Sequence, residues 1–191
     1  RLNAEKNKIL KKIYSSLNPW QKVQIARHSL RPHTYDYINY IFDKFISLHG
    51  DKKFADDKAV IGGLAKIDDI SVMLIGTEKG NSMESRIKHN FGMAKPEGYR
   101  KAQRLMKIAE KFKLPIITFV DTAGAFPGKD AEERGQSESI ASSIAFSLKV
   151  RTPIISIIIG EGGSGGAIAL ATADKILMLE HAIYSVISPE G

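Results

Sequence analysis

Three observations predict an α/β fold with a parallel sheet. Two β-type runs start alike, at Leu114-Pro115-Ile116-Ile117 and at Thr152-Pro153-Ile154-Ile155. Each run enters a glycine-bearing turn, Asp121-Thr122-Ala123-Gly124-Ala125-Phe126-Pro127-Gly128 or Gly160-Glu161-Gly162-Gly163-Ser164-Gly165-Gly166-Ala167. Each turn then leads into a helical pattern. Tandem strand, turn and helix units imply parallel strands, with both turns at the carboxyl edge of one sheet.

Before these units, the pattern from Arg1 to about His49 is helical and basic. Leu2, Ile9, Ile13 and Leu17 recur at helical spacing, and Pro19 opens a second helix with Trp20, Val23 and Ile25. A third helix is predicted to carry Tyr37, Ile38, Ile41, Phe42, Phe45 and Leu48. Residues 1–50 are thus expected to form a helical packing arm. Its lysines Lys6, Lys8, Lys11 and Lys12 read as a solvated face, with subunit docking or weak RNA binding as competing uses.

After Gly50 the texture changes, and residues 51–191 are expected to form the globular domain. Ala59–Ile67 and Ile70–Ile75 are β-type runs, with Asp68-Asp69 as a two-residue hairpin turn. Gly80 to Lys95 reads as a long loop, and Pro96 to Phe112 as a helix with Tyr99, Ala102, Leu105, Met106 and Ala109 on one face. In the repeated units, helices are predicted from Ala131 to Leu148 and from Ala167 to Ala173. Strands at Lys175–Leu179 and Ile183–Ile187 follow. Ser188-Pro189-Glu190 is a helix-start signal with Ser188 as N-cap, so the domain is expected to be incomplete at its carboxyl end.

Composition narrows the chemistry. With 191 residues and 43% hydrophobic content, the chain can bury a core. The longest strongly apolar run, Ile154 to Gly160, is far short of the roughly 20 residues that a membrane helix needs, so no membrane role is expected. The chain has no cysteine, which excludes disulfides, Cys-based zinc sites and thiol catalysis, and fits a reducing compartment. A net charge of +7 suits nucleic acid, acidic membrane or phosphorylated small molecules, and does not choose among them.

A glycine turn entering a helix exposes backbone N–H groups that lack an intrahelical partner, which favours an anion. Gly160 to Gly165 satisfies the dinucleotide pattern G-x-G-x-x-G, with Glu180 about 20 residues on. A P-loop fails, because no Gly-Lys-Ser/Thr follows. An oxyanion hole of paired N–H groups needs no further motif. Gly162-x-Ser164-x-Gly166 also matches the nucleophile elbow, for which only Asp174 and His181 come later as partners. Against all of these stands a purely steric use of the glycines. Asp121 reads as a turn cap, and Glu132, Glu133, Arg134 and Glu138 as charges suited to a helix start. His28, His33, His49 and His89 have no partner at metal-ligand spacing.

The strings Trp20-Gln21, Ala26-Arg27-His28, Ala55-Asp56-Asp57-Lys58-Ala59, Asn90-Phe91-Gly92-Met93, Pro96-Glu97-Gly98-Tyr99-Arg100-Lys101-Ala102, Ala131 to Glu138, Gly160 to Ala167 and Tyr184 to Gly191 resemble the carboxyltransferase alpha subunits of bacterial-type, biotin-dependent acetyl-CoA carboxylases. The likeness spans essentially the whole chain. It departs at Ala123, where the family turn reads Asp-Thr-Pro-Gly, and at Phe126, where Tyr is common.

The resemblance implies a crotonase-like (ClpP/crotonase) spiral of ββα units and a cytoplasmic or plastid-stromal enzyme. It implies transfer of a carboxyl group from biotin, held on a biotin carboxyl carrier protein, to acetyl-CoA, giving malonyl-CoA for fatty-acid synthesis. It further implies a beta subunit that carries the zinc ribbon, an alpha2beta2 assembly, and no metal on this chain. Carried over by motif, the N–H groups of Gly165 and Gly166 form the oxyanion hole for the biotin ureido oxygen, and Gly124 and Ala125 line the same cleft. Lys79, Arg100 and Arg134 are candidates for meeting carboxylate or phosphate charge. On this reading Gly166→Val abolishes malonyl-CoA formation and leaves the fold intact.

Overall fold

A computed structural model describes residues 2–190; Arg1 and Gly191, the outer ends of the two expected domains, lie outside the described residues. Helices α1 (Leu2–Tyr14), α2 (Pro19–Ala26) and α3 (Thr34–Ile41) lead into strands β1 (Lys44–Ser47), β2 (Val60–Ile67) and β3 (Ile70–Thr77). Helices α4 (Met83–Lys88) and α5 (Pro96–Phe112) precede β4 (Ile116–Thr122), and α6 (Lys129–Glu133) and α7 (Gln136–Ser147) precede β5 (Ile154–Gly163). Then come α8 (Ser164–Ala171), β6 (Lys175–Met178) and β7 (Ile183–Ser185).

The sheet runs in the order β1-β2-β3-β4-β5-β6, with β7 paired to the far end of β5. β1, β2 and β3 pair antiparallel, and the β2–β3 hairpin turns at Asp68, whose φ of 50° supplies the left-handed residue that a tight hairpin needs. From β3 to β6 the pairing is parallel. The repeated strand starts lie side by side, Ile116 on Ile154 and Ile117 on Ile155, so the two following turns meet at the same edge.

Alternation along the strands sends side chains to two cores. On one face, Met73, Ile75, Ile116, Val120, Ile154 and Ile158 pack with Tyr99, Ala102, Leu105, Met106 and Ala109 of α5 and with Leu170 of α8. Fully burying Leu105 or Met106 contributes about 1.5–3 kcal/mol each. On the other face, Val72, Leu74, Phe119 and Ile159 pack with Ile38 and Phe42 of the α3 region.

Three expectations need correction. Phe45 does not continue the third helix: the chain leaves α3 at Phe42, and Phe45 and Ile46 pair with Ala65 and Leu64 as the edge strand β1, with Leu48 just beyond. The spacing of Phe42, Phe45 and Leu48 suits a helix, but the open edge of β2 offers backbone partners that a helix end cannot. The predicted loop at 80–95 contains α4, which Ser82 caps through the Ser85 N–H. The helix predicted from Ala131 to Leu148 is broken at Gly135, with φ 81°, into α6 and α7. Within this chain α1 buries none of its residues, and Leu2, Ile9 and Ile13 are exposed. Of the three helices, α2 buries Val23 and Ala26, and α3 buries Thr34 and Ile38.

Candidate active site

The carboxyl ends of β4 and β5 build the site. β5 does not stop at Ile159 as its apolar run suggests: it continues through Gly160 to Gly163, and Thr122 pairs with Gly162 across a register shift. A Cβ on Gly160 would lie 2.5 Å from Asp121 Oδ1, one on Gly162 would lie 2.6 Å from the Tyr184 ring, and one on Gly163 would overlap the Ala123 backbone. Close approach is therefore what these glycines serve. With most of its glycines inside a strand, the G-x-G-x-x-G match does not form a phosphate-binding turn.

The chain turns at Ser164. Its φ of 52° is a left-handed conformation on a residue with a side chain, placed between strand and helix as in a nucleophile elbow. Ser164 is exposed, and the N–H groups of Ser164, Gly165 and Gly166 open α8 with no carbonyl one turn back. No triad completes the elbow. Asp174 accepts the Ile154 N–H at 2.8 Å, at the other end of β5, roughly 30 Å from Ser164 at about 3.3 Å per strand residue. His181 packs its ring on Tyr14, 5.4 Å between centroids.

The two turns touch. A Cβ on Gly166 would come within 2.6 Å of Ala125 N and Gly124 C and 2.9 Å of the Tyr99 hydroxyl. Gly166→Val would therefore push the turns apart, and the expectation that it leaves the fold intact is overturned. Gly165 differs, because its Cβ would meet only Ile140, at 3.5 Å. The β4 turn is closed by Thr122, whose hydroxyl donates to Gly124 O at 2.7 Å and accepts from Gly124 N at 3.1 Å.

Beneath the elbow lies a charge network that sequence reasoning missed. Asp121, read as a turn cap, instead ties strand ends together: its Oδ1 accepts the Glu161 N–H at 2.8 Å and lies 2.6 Å from Lys79 Nζ. Glu161 meets Lys79 at 3.4 Å and Arg27, from the end of α2, at 2.7 Å. Arg27 also pairs with Glu190 and holds its carboxyl down to about 2, while Glu161 and Glu190 keep the guanidinium more strongly protonated than usual. Only the string Ala26-Arg27-His28 hinted at this role.

Arg100 and Arg134 do not join Lys79. Arg100 bonds Asp51 at 3.1 Å, and Arg134 bonds Glu97 at 3.0 Å and Asp130 at 3.4 Å, so their charges are already met. Among the described residues no group of three metal-ligating side chains forms, and no helix is long and apolar enough to cross a membrane.

On the other flank, His33 Nδ1 lies 3.4 Å from Glu78, and both are buried. The hydrogen bond to Glu78 raises the His33 pKa above its usual 6.5. Burial alone would raise Glu78, but His33 and the Gly80 and Tyr35 N–H groups outweigh it and hold the carboxyl below 4.5. The histidine contribution is full below pH 6.5 and fades as pH rises through the raised value; the glutamate contribution is full above pH 4.5 and fades on acidification through the lowered one. Urea melts of the wild type and His33→Gln should thus differ most between pH 4.5 and 6.5, by about 1–3 kcal/mol, and converge at pH 9. A difference independent of pH would show the pair to be uncharged.

Residues 1–191 match the model of the acetyl co-enzyme A carboxylase carboxyltransferase-like family. The chain belongs to that family. Acetyl-coenzyme A carboxylase carboxyl transferase alpha subunits of Paramagnetospirillum magneticum and Zymomonas mobilis are 63% and 62% identical to it over 191 and 190 residues, covering all of this chain and 60% and 61% of theirs. The chain thus spans about three fifths of their length. Among solved structures, transcarboxylase 12S superposes with a TM-score of 0.71 at 17% identity, over 87% of this chain and 31% of that one. The beta subunit of Pseudomonas aeruginosa geranyl-CoA carboxylase gives 0.68 at 19%, over 84% and 29%. These carboxyltransferase neighbours bear out the crotonase-like α/β fold, and nothing supports a nicotinamide-dependent oxidoreductase. At the two positions where the sequence departs from the resemblance, Ala123 stands exposed and Phe126 takes the Lys95 ammonium over its ring at 4.6 Å.

Proposed function

We propose that this chain provides the alpha-subunit half of an acetyl-CoA carboxyltransferase site, acting in the cytoplasm with a zinc-ribbon beta subunit as alpha2beta2. The observation that carries the reading is the Ser164 elbow, which presents the Gly165 and Gly166 N–H groups beside Gly124 and Ala125.

The residues present suit a ureido ligand. A pair of N–H donors at a helix start, with Gly165 half-buried and Gly166 buried, answers a urea oxygen, and a recess of about 80 Å³ lined by Ala123, Gly163 and Ser164 adjoins the start of that helix. Biotin, carried on the biotin carboxyl carrier protein, supplies the carboxyl group. Gly165 and Gly166 stabilise the negative charge that develops on the ureido oxygen as the carboxyl group leaves. Gly124 and Ala125 hold the donor pair in place by contact with Gly166. Asp121, Lys79 and Glu161 fix the strand ends beneath. Bound biotin would supply the base for proton removal through its ureido group, whose oxygen Gly165 and Gly166 would hold. The beta subunit would bind acetyl-CoA and its enolate oxygen.

Co-expression with a beta subunit should give a complex that forms malonyl-CoA from acetyl-CoA and carboxylated carrier protein, whereas this chain alone does not. A folded complex without that activity would refute the reading.

A further inference from the structure

Next to the elbow, the ends of α2 and α4 wall a recess of about 240 Å³ over the ends of β4 and β5. Its floor is the network just described, in which Asp121 and Glu161 are already matched by Lys79 and Arg27. Two more guanidinium groups line it. Arg31 donates Nε to Ile159 O at 2.7 Å and Nη2 to Glu180 O at 3.3 Å, and Arg86 donates Nε to Gly80 O at 3.4 Å. Among the described residues neither has a carboxylate within ion-pair distance. Of these six lining groups four are cationic and two anionic; Glu190, which also pairs with Arg27, brings the balance to one positive charge in excess, and Arg31 and Arg86 themselves meet no carboxylate among the described residues.

Guanidinium groups bound only to neutral carbonyls keep N–H donors free, and the planar fork suits carboxylate and phosphate oxygens. The volume is several times the roughly 30 Å³ share of one water, enough for a small oxyacid group with some hydration. The recess also shares Arg27, Ala123 and Glu161 with the smaller one that Ser164 lines, so its occupant would lie within a few residues of the elbow.

We infer that this recess is an anion site for an oxyacid group of the coenzyme A thioester, either the transferable carboxylate or a coenzyme phosphate. This rests on the carboxyltransferase reading and adds Arg31 and Arg86, which that reading does not use.

Arg86→Gln is the variant of choice, since the arginine's own bond to the fold is a single long one. In the reconstituted complex of full-length alpha and beta subunits, KM would be measured for acetyl-CoA in the forward direction and for malonyl-CoA, with free biotin as acceptor, in reverse. We expect a rise of roughly tenfold, the effect of losing one hydrogen bond to a charged group. An equal rise for both thioesters assigns the phosphate, which both carry; a rise for malonyl-CoA alone assigns the carboxylate. Arg86→Lys, which keeps the charge, should recover most of the loss. Unchanged KM values for both substrates in Arg86→Gln, with wild-type complex active, would overturn the anion site and leave the elbow untouched. A wild-type complex that makes no malonyl-CoA would instead overturn the reading beneath it.

Discussion

Gly165→Pro should slow carboxyl transfer by about 10²–10³-fold while the fold stands, because it deletes one oxyanion donor and nothing else of weight. Gly165 is the second residue of α8, where proline is tolerated because the N–H has no helical partner to lose. The added Cβ finds Ile140 at ordinary contact distance, 3.5 Å. Ser164 before it has φ 52°, away from the extended region that a following proline favours, so the melts must show that the ring is accommodated there. Gly165→Ala is the control: it adds the same Cβ, keeps the N–H and should keep most of the rate. Malonyl-CoA formation by the reconstituted complex, with thermal melts alongside, reads both. Full activity in Gly165→Pro would remove this N–H from the oxyanion hole. Gly166 cannot serve in its place, since any side chain there collides with the backbone of Gly124 and Ala125 and confounds chemistry with packing.

What the sequence made legible is what local pattern determines. The paired strand starts at Ile116 and Ile154 became neighbours in register, the Asp68-Asp69 turn closed a hairpin, and Pro96 to Phe112 formed a helix with the expected apolar face. The site was legible only in outline. Glycine count announced a special backbone at 160–166, but not which special property was needed. None of those glycines has positive φ; the left-handed residue is Ser164, and the glycines there serve close approach. Composition cannot separate these uses, because both select for a missing Cβ. The pairing of Arg27 with Glu161 joins residues 134 apart in sequence, and Arg31, from the segment between α2 and α3, and Arg86, from α4, reach the same recess. No periodicity encodes such meetings. Arg100 and Arg134 illustrate the converse, cations that looked available until Asp51, Glu97 and Asp130 were found to hold them.

Lys101→Met should destabilise the chain by about 1–3 kcal/mol, the usual cost of leaving a buried polar group without its hydrogen-bond partner, here the Asp57 carbonyl; Asp56, the other partner, is exposed and regains water. At roughly 2–4 °C per kcal/mol for a chain of this size, the melting point falls by roughly 5 °C. Lys101 lies on the buried face of α5 at 2% exposure, and its ammonium meets Asp56 Oδ1 at 2.5 Å and Asp57 O at 2.7 Å. Methionine matches its length but leaves both oxygens without that donor. Asp57 is the more sensitive of the two, since burial already pushes its carboxyl above the usual range and the Lys101 charge is one of the influences pulling it back. That carboxylate accepts the N–H groups of Ala59 at 2.9 Å and Lys95 at 2.7 Å, so it fixes the segment before α5. Ala94, the residue before Lys95, bridges to Ala125 and accepts the Phe126 N–H at 2.9 Å. A lysine remote from the elbow therefore sets the position of the turn against which Gly166 packs. Urea melts should show the stability loss, and the reconstituted complex should lose rate even at temperatures where the variant remains folded. A loss below 1 kcal/mol would mean that Asp56 and Asp57 find other partners. Full activity in a destabilised variant would mean that the link from Asp57 through Ala94 to Ala125 holds the fold without tuning the site.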